Sequence, residues 1–250
     1  MEKAEKNEAK VKLEHDRKSK SRKLKELIKK YPGLYSFMLK LRTISLNMRS
    51  RESIFSKVYE TNAWADEESL SGSGSNMAET AAIRRELPKI FRDLKINSLV
   101  DIPCGDFYWM KHLLADCPKL TYFGGDIVGE MISKNNRRHR NLKVRFGKID
   151  LVSDNVPKGD AILCRDCLIH LSFKDGLKAI NNIKKSGSEY LISTTFQHLS
   201  INENSPTGPH GREIDLQLAP YNFPKPLMLI NEEVPNCPHK CLGIWEIKDL

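Results

Sequence analysis

Three aspartates and one glycine stand where a chain can hold a nucleotide-like ligand. The apolar run Ile96-Asn97-Ser98-Leu99-Val100 ends in Asp101-Ile102-Pro103-Cys104-Gly105-Asp106, and Phe107 to Leu114 then has the pattern of an amphipathic helix. In doubly wound α/β folds, a buried strand that ends in an acid, turns through glycine and opens a helix brings backbone close to a cofactor. Tyr122-Phe123-Gly124-Gly125-Asp126 reads as a second strand ending in a carboxylate, at the spacing of an acid that binds a ribose diol. Val144-Arg145-Phe146-Gly147-Lys148-Ile149-Asp150 reads as a third. The turn lacks the third glycine that dinucleotide binding favours, which counts against a nicotinamide cofactor. Farther on, Cys164-Arg165-Asp166-Cys167-Leu168-Ile169-His170-Leu171 follows another apolar strand. Asp166 and His170 there are candidate proton acceptors for a hydroxyl nucleophile.

The elements that must position these groups alternate. Strands are expected at 98–102, 120–126, 143–149, 160–165 and 189–195, and helices at 107–115, 128–136 and 174–185, which argues for a parallel sheet covered on both faces. Upstream, Ile54–Tyr59 reads as a short helix, and Trp64 to Ser75 as a loop rich in serine and glycine. Asn76 and Glu79 form a capping pair, with Pro88 starting or kinking a second turn. Residues 197–225 carry Pro206, Gly208, Pro209, Gly211, Pro220 and Pro224 and are too long for a simple connector. Pro226–Ile230 and Leu242–Ile247 read as two closing strands.

The 250 residues suit one domain of ordinary size with an added tail. Of the net charge of +9, residues 1–51 hold 16 Lys and Arg against 6 Asp and Glu, while residues 52–250 hold 25 against 26. The basicity thus belongs to a tail at 1–52, and a near-neutral body at 53–250 argues against a nucleic-acid channel across the domain. Within the tail, Leu34, Phe37, Met38, Leu41, Ile44 and Met48 recur at helical spacing. Such a helix suits packing on the domain or on a second subunit, or contact with an anionic membrane surface. No run approaches the ~20 apolar residues needed to cross a bilayer, and the charged start lacks an apolar leader core. A cytoplasmic protein is the expectation, with a peripheral membrane position open to the tail. Cys164 with Cys167 and Cys237 with Cys241 are close pairs without the knuckle turn of zinc ribbons, so reduced thiols and no metal are expected.

These residues resemble class I S-adenosylmethionine (SAM)-dependent methyltransferases over residues 53–250. The resemblance implies a Rossmann-like, mostly parallel sheet closed by a C-terminal antiparallel hairpin, with SAM as cofactor. It places Asp101 and Gly105 on the cofactor loop, Asp126 on the ribose hydroxyls and Asp150 opposite the adenine amino group. The family's run of three glycines is reduced to Cys104-Gly105-Asp106-Phe107. Asp-Ile-Pro-Cys-Gly-Asp-x-x-Trp-Met looks like the signature of a sub-family linked to surface-glycan synthesis. That sub-family's other marks are Asn62-Ala63-Trp64, Glu68 to Ser75, and Cys164 to Leu171. The implied cofactor set is Trp64, Ser71, Gly72, Asp101, Pro103, Gly105, Asp106, Trp109, Asp126, Ile127, Asp150 and Arg165. Asp106 is placed near the methionine amino group; Trp64 and Trp109, with Tyr59 outside the set, are candidates to offer ring faces to a sulfonium, and Gly72 with Gly74 reads as a mobile turn or an anion cradle. Arg165 has an acid-binding or structural role. Asp166 and His170 are the catalytic pair, with a purely structural helix-start role open for His170, and His198, His210, Arg212 and Asp215 are placed at the acceptor. The implied activity is O-methylation of a sugar or glycan precursor without a metal, the tail meeting a membrane surface or a glycosyltransferase. The rival readings are an RNA or protein methyltransferase, or a SAM-binding partner without catalysis in a glycan-synthesis complex.

Overall fold

Ala161–Cys164 and Tyr190–Phe196 are buried at every residue, as strands in the middle of a sheet covered on both faces must be. The computed structural model describes residues 49–140 and 143–250, and residues 49–250 fall in one unit. Its seven strands are β1 (Ser98–Asp101), β2 (Thr121–Asp126), β3 (Val144–Lys148), β4 (Ala161–Cys164), β5 (Tyr190–Phe196), β6 (Met228–Asn231) and β7 (Lys240–Glu246). They form one sheet in the order β3-β2-β1-β4-β5-β7-β6, with β1 to β5 parallel and β7 antiparallel to both β5 and β6. The order reverses direction between β1 and β4, so the crevice for a ligand lies at their carboxyl ends.

The helices are α1 (Arg51–Glu60), α2 (Ala81–Asp93), α3 (Met110–Ala115), α4 (Gly129–Arg138) and α5 (Phe173–Lys185). Ile83 and Leu87 of α2 and Met110 and Leu113 of α3 pack on one face of the sheet with Leu99, Leu163 and Ile192. Ala179, Ile180 and Ile183 of α5 cover the other with Val100, Ile162 and Leu191. Ser50 caps α1 by accepting from the amide of Ser53, and Ser172 caps α5 by accepting from Asp175.

The alternation read from the sequence is the observed fold, including the C-terminal hairpin, and the differences are local. The helix expected from Phe107 begins at Met110, because Asp106 accepts from the Tyr108 amide and Phe107 adopts φ +61°, which holds 104–109 in a turn. Asn76 accepts from the Glu79 amide as expected, yet it caps a turn ahead of α2. Pro88 sits inside α2 without ending it. The boundary expected at residue 53 falls inside α1, whose first residue, Arg51, is bonded into the unit through Asp150. The tail to residue 48 and its expected amphipathic helix lie outside the described residues. No helix among the described residues is long and apolar enough to cross a membrane.

Trp245 on β7 is 1% exposed, donates its indole N–H to the Pro224 carbonyl at 2.8 Å and lies against Gly243, where a Cβ would strike the ring. Trp245→Ala should therefore cost ~3–5 kcal/mol in chemical denaturation. A loss below about 1 kcal/mol would mean that the hairpin is not packed as described.

Candidate active site

The carboxyl ends of β1, β2 and β4 open into one cavity of about 670 Å³. That is within the ~300–1,000 Å³ usual for small-molecule and cofactor sites. Asp126, the last residue of β2, is buried at its floor and accepts from the amides of Gly105 at 3.1 Å and Val128 at 3.0 Å, one on each oxygen. The Ile127 amide also donates to Asp126, and a carboxylate with about four lone-pair sites keeps room for a further donor. Burial pushes this carboxyl up to about 6, against the opposing pull of the amides. Asp101, buried at the end of β1, accepts from the Tyr122 hydroxyl at 2.7 Å, and burial raises it to about 7. Gly105 has φ +58°, and a Cβ there would run into the Ser71 side chain, so the turn between β1 and α3 admits only glycine against the 69–71 loop.

A buried ion cluster forms the other side. Arg165, just past β4, donates to Glu232 at 2.5 Å and to the Gly74 carbonyl at 2.6 Å, and its guanidinium stands 3.3 Å from Asp166. Lys240, the first residue of β7, donates to Asp166 at 2.7 Å and lies 3.4 Å from Glu232. The Thr194 hydroxyl accepts from the Asp166 amide and donates to its carboxylate. Burial works against ionisation of Asp166, but Arg165 and Lys240 outweigh it and hold the group well below the usual carboxylate range. Asp166 is thus a fixed negative charge and a poor proton acceptor.

His170 has the opposite character. Burial pushes it down to about 4, its Nδ1 is buried without a hydrogen-bond partner, and its ring lies 5.3 Å from Trp64 and 6.3 Å from Phe55. At neutral pH it is an uncharged imidazole with an uncommitted nitrogen beside the cavity. Cys167 lines the same wall, but the hydrogen bond to Cys164 and burial keep its thiol protonated, which makes it a weak nucleophile.

The third wall is α1, which presents Arg51, Phe55 and Tyr59 to the cavity at helical spacing. Arg51 holds Asp150 through Nε at 3.0 Å and Nη2 at 2.7 Å, Lys148 meets Glu52 at 2.7 Å, and Lys134 donates to the Tyr59 hydroxyl at 2.7 Å. Asp150 lines the cavity with its carboxylate already engaged by Arg51.

Of the residues picked from sequence, Trp64, Ser71, Gly72, Asp101, Pro103, Gly105, Trp109, Asp126, Ile127, Asp150, Arg165, Asp166, His170 and His210 line this one cavity. Four are placed elsewhere. Asp106 turns away from it and binds the Ser69 hydroxyl and the Leu70 amide, so it organises the covering loop. His198 is exposed, stacks on His239 at 4.3 Å and meets Glu213. Arg212 spends its guanidinium on the carbonyls of Glu203 and Ile169 and on the Ser205 hydroxyl, and so braces the long loop from within. Asp215 is buried, accepts from the Gln217 amide and is braced by Asn202. Sequence reasoning missed Arg51, Phe55, Glu232 and Lys240. The spacing of Arg51, Phe55 and Tyr59 was the available signal for α1; Lys240 and Glu232 carry none, because a charge next to a strand reads as exposed. Among the described residues no group of three or more His, Cys, Asp or Glu is arranged to hold a metal ion, and all six cysteines are free.

No protein-family model and no curated protein matches the chain, whereas solved structures do. The structure is similar to PigF with SAH, with a TM-score of 0.57 at 14% identity over 80% of this chain and 62% of that one. It is also similar to the Burkholderia thailandensis 1,6-didemethyltoxoflavin-N1-methyltransferase with bound S-adenosylhomocysteine, with a TM-score of 0.54 at 15% identity over 78% and 86%. The fold is that of the SAM-dependent methyltransferases. The methyltransferase domain of bacterial-CtHen1-CN aligns along its whole length, with a TM-score of 0.50 at 13% identity over 68% of this chain. This chain spans about three-fifths of the length of PigF.

The ion cluster sets a test of the site. Glu232→Leu should cost ~3–5 kcal/mol, because it leaves Arg165 buried without its carboxylate. Adding Arg165→Met should recover part of that loss, giving strong non-additivity in a double-mutant denaturation cycle. Additive costs would show that the two side chains do not depend on each other.

Proposed function

We propose that this chain is a SAM-dependent O-methyltransferase acting on a hydroxyl of a sugar or glycan precursor. The observation that carries the reading is an uncharged imidazole with an uncommitted nitrogen, His170, in the same cavity as the buried carboxylate Asp126. The donor set fits the cofactor. Asp126 has oxygen lone pairs to spare for the ribose diol, Asp101 offers a carboxylate to the amino cation, and Ile127, Leu151 and Val152 supply an apolar place for the base. When bound, SAM supplies a methyl group on a sulfonium, an electrophile that needs a positioned nucleophile. His170 takes the hydroxyl proton, and the fixed charge of Asp166 favours the imidazolium that results. Arg165 and Lys240 keep Asp166 ionised and hold the Ser73–Ser75 turn and the start of β7 around the acceptor. The sugar acceptor is supported by the likeness of the Asp101–Met110 motif to its sub-family and by the polar groups at that end, among them Ser73, His210 and Asn236.

Asp126→Ala should weaken SAM binding at least about tenfold in calorimetry, since each charge-assisted hydrogen bond contributes ~1.5–3 kcal/mol. Unchanged affinity would remove the ribose assignment. The raised Asp101 and Asp126 also set a pH dependence. A cation and two hydroxyl donors favour the ionised carboxyls, so binding lowers both values and releases protons. Affinity should fall as pH drops through about 7 and then about 6. Calorimetry at pH 6.5 in buffers of different ionisation enthalpy measures that release; no net release contradicts the assignment.

His170→Asn should lower turnover by ~10²–10⁴ with SAM affinity nearly unchanged, measured with labelled SAM across sugar, RNA and protein acceptors. Transfer to RNA or protein alone would replace the sugar assignment. Near-normal turnover in the variant would move the base elsewhere.

A further inference from the structure

Residues 137–145 read Arg-Arg-His-Arg-Asn-Leu-Lys-Val-Arg, five formal positive charges and no acid in nine positions. They run from the last turn of α4 to the edge strand β3, and Arg137, Arg138, Arg140, Lys143 and Arg145 are all exposed. Residues 52–250 otherwise carry more acids than bases, 26 against 20, so this edge is a local inversion of charge. Among the described residues these five make no ion pair; exposed lysines such as Lys158 and Lys225 are unpaired too, and what sets the five apart is their density, with no acid between them in nine positions. Cations in a helix's last turn answer its dipole, which accounts for Arg137 and Arg138 alone.

We infer that this edge docks the protein on a membrane surface rich in anionic phospholipid headgroups. Beside the patch, His139 packs on Phe107 at 4.9 Å, and Asn136 donates to the Phe146 carbonyl. Of the rings beside it, Phe107 and Tyr122 are buried and Phe146 is half-buried against them, so the patch lacks the exposed aromatic platform that single-stranded nucleic acid would use. None of the five cations lines the cavity. What they present is unpaired charge alone, the chemistry that a headgroup layer meets. One such patch binds weakly, and stable attachment takes two signals. Residues 1–51, with 16 Lys and Arg against 6 acids, supply a second cationic stretch. The cations begin at the amino end of β3 and the cavity opens at the carboxyl ends, so docking leaves its mouth in solution.

The test uses the full chain with vesicles of phosphatidylcholine containing about 30% phosphatidylglycerol, or none, at about 0.1 M salt. Replacing Arg137, Arg138, Arg140, Lys143 and Arg145 by serine should lower cosedimentation with the anionic vesicles at least about tenfold. A second variant changes the exposed Lys158, Lys174, Lys178, Lys185 and Lys225 to serine, with the same loss of net charge, and should stay within about twofold of the native chain. Lysine in place of the four arginines should preserve binding, and thermal unfolding checks that every variant is folded. The inference is overturned if the patch variant binds as the native chain does, if the control variant loses as much, or if an RNA oligonucleotide binds the patch and displaces the vesicles.

Discussion

The contact on which the site depends is the buried pairing of Arg165 with Glu232, extended through Asp166 to Lys240. Its members come from the end of β4, the end of β6 and the start of β7, and Arg165 also holds the Gly74 carbonyl of the covering loop. A buried charge without its partner is far more costly than an apolar residue, so these four positions must be satisfied together. That requirement seats the antiparallel hairpin against the parallel half of the sheet and draws the Ser73–Ser75 turn over the cavity. Gly74 fits this place because a Cβ there would fall 2.8 Å from the Asp166 carboxylate.

The two ends of the cavity are tuned in opposite senses by the same burial. At one end Asp101 and Asp126 sit together without a cation in contact, and the loss of water raises both. At the other, two cations overcome that loss and fix Asp166 as an anion. A cofactor that brings its own positive charge is matched to the first end. At the second, His170 is uncharged and close to a permanent anion. Three aspartates in one cavity are thus held in different protonation states by their surroundings alone.

The covering loop shows how a motif residue can shape a cavity that it does not itself line. Asp106 follows the glycine of the cofactor turn and looks from sequence like a ligand for an amino group. In the structure it gathers Ser69, Leu70 and Ser71 onto the turn, and Ser71 in turn accepts from the Asp106 amide. The loop and the turn are thereby one rigid piece.

Much of the fold was legible because period and punctuation are local. The strand ends at Asp101 and Asp126, the apolar run of β4 and the polar break after Phe196 each follow from a few adjacent residues, whereas the third strand stops at Lys148, two residues before its expected acid Asp150. That Asp101 and Asp126 line one cavity was legible for the same reason, since both sit at strand ends. The side of the cavity around Asp166 was decided by tertiary structure. Lys240 and Glu232 reach Asp166 and Arg165 across some 70 residues of chain, and Arg51 reaches Asp150 across 99. His198, Arg212 and Asp215 were misplaced because a long loop can turn any polar side chain inward or outward without changing its sequence pattern. Which residue could accept a proton was likewise beyond sequence: Asp166 and His170 are four residues apart, and only the cations folded against the first and the apolar walls around the second set their protonation.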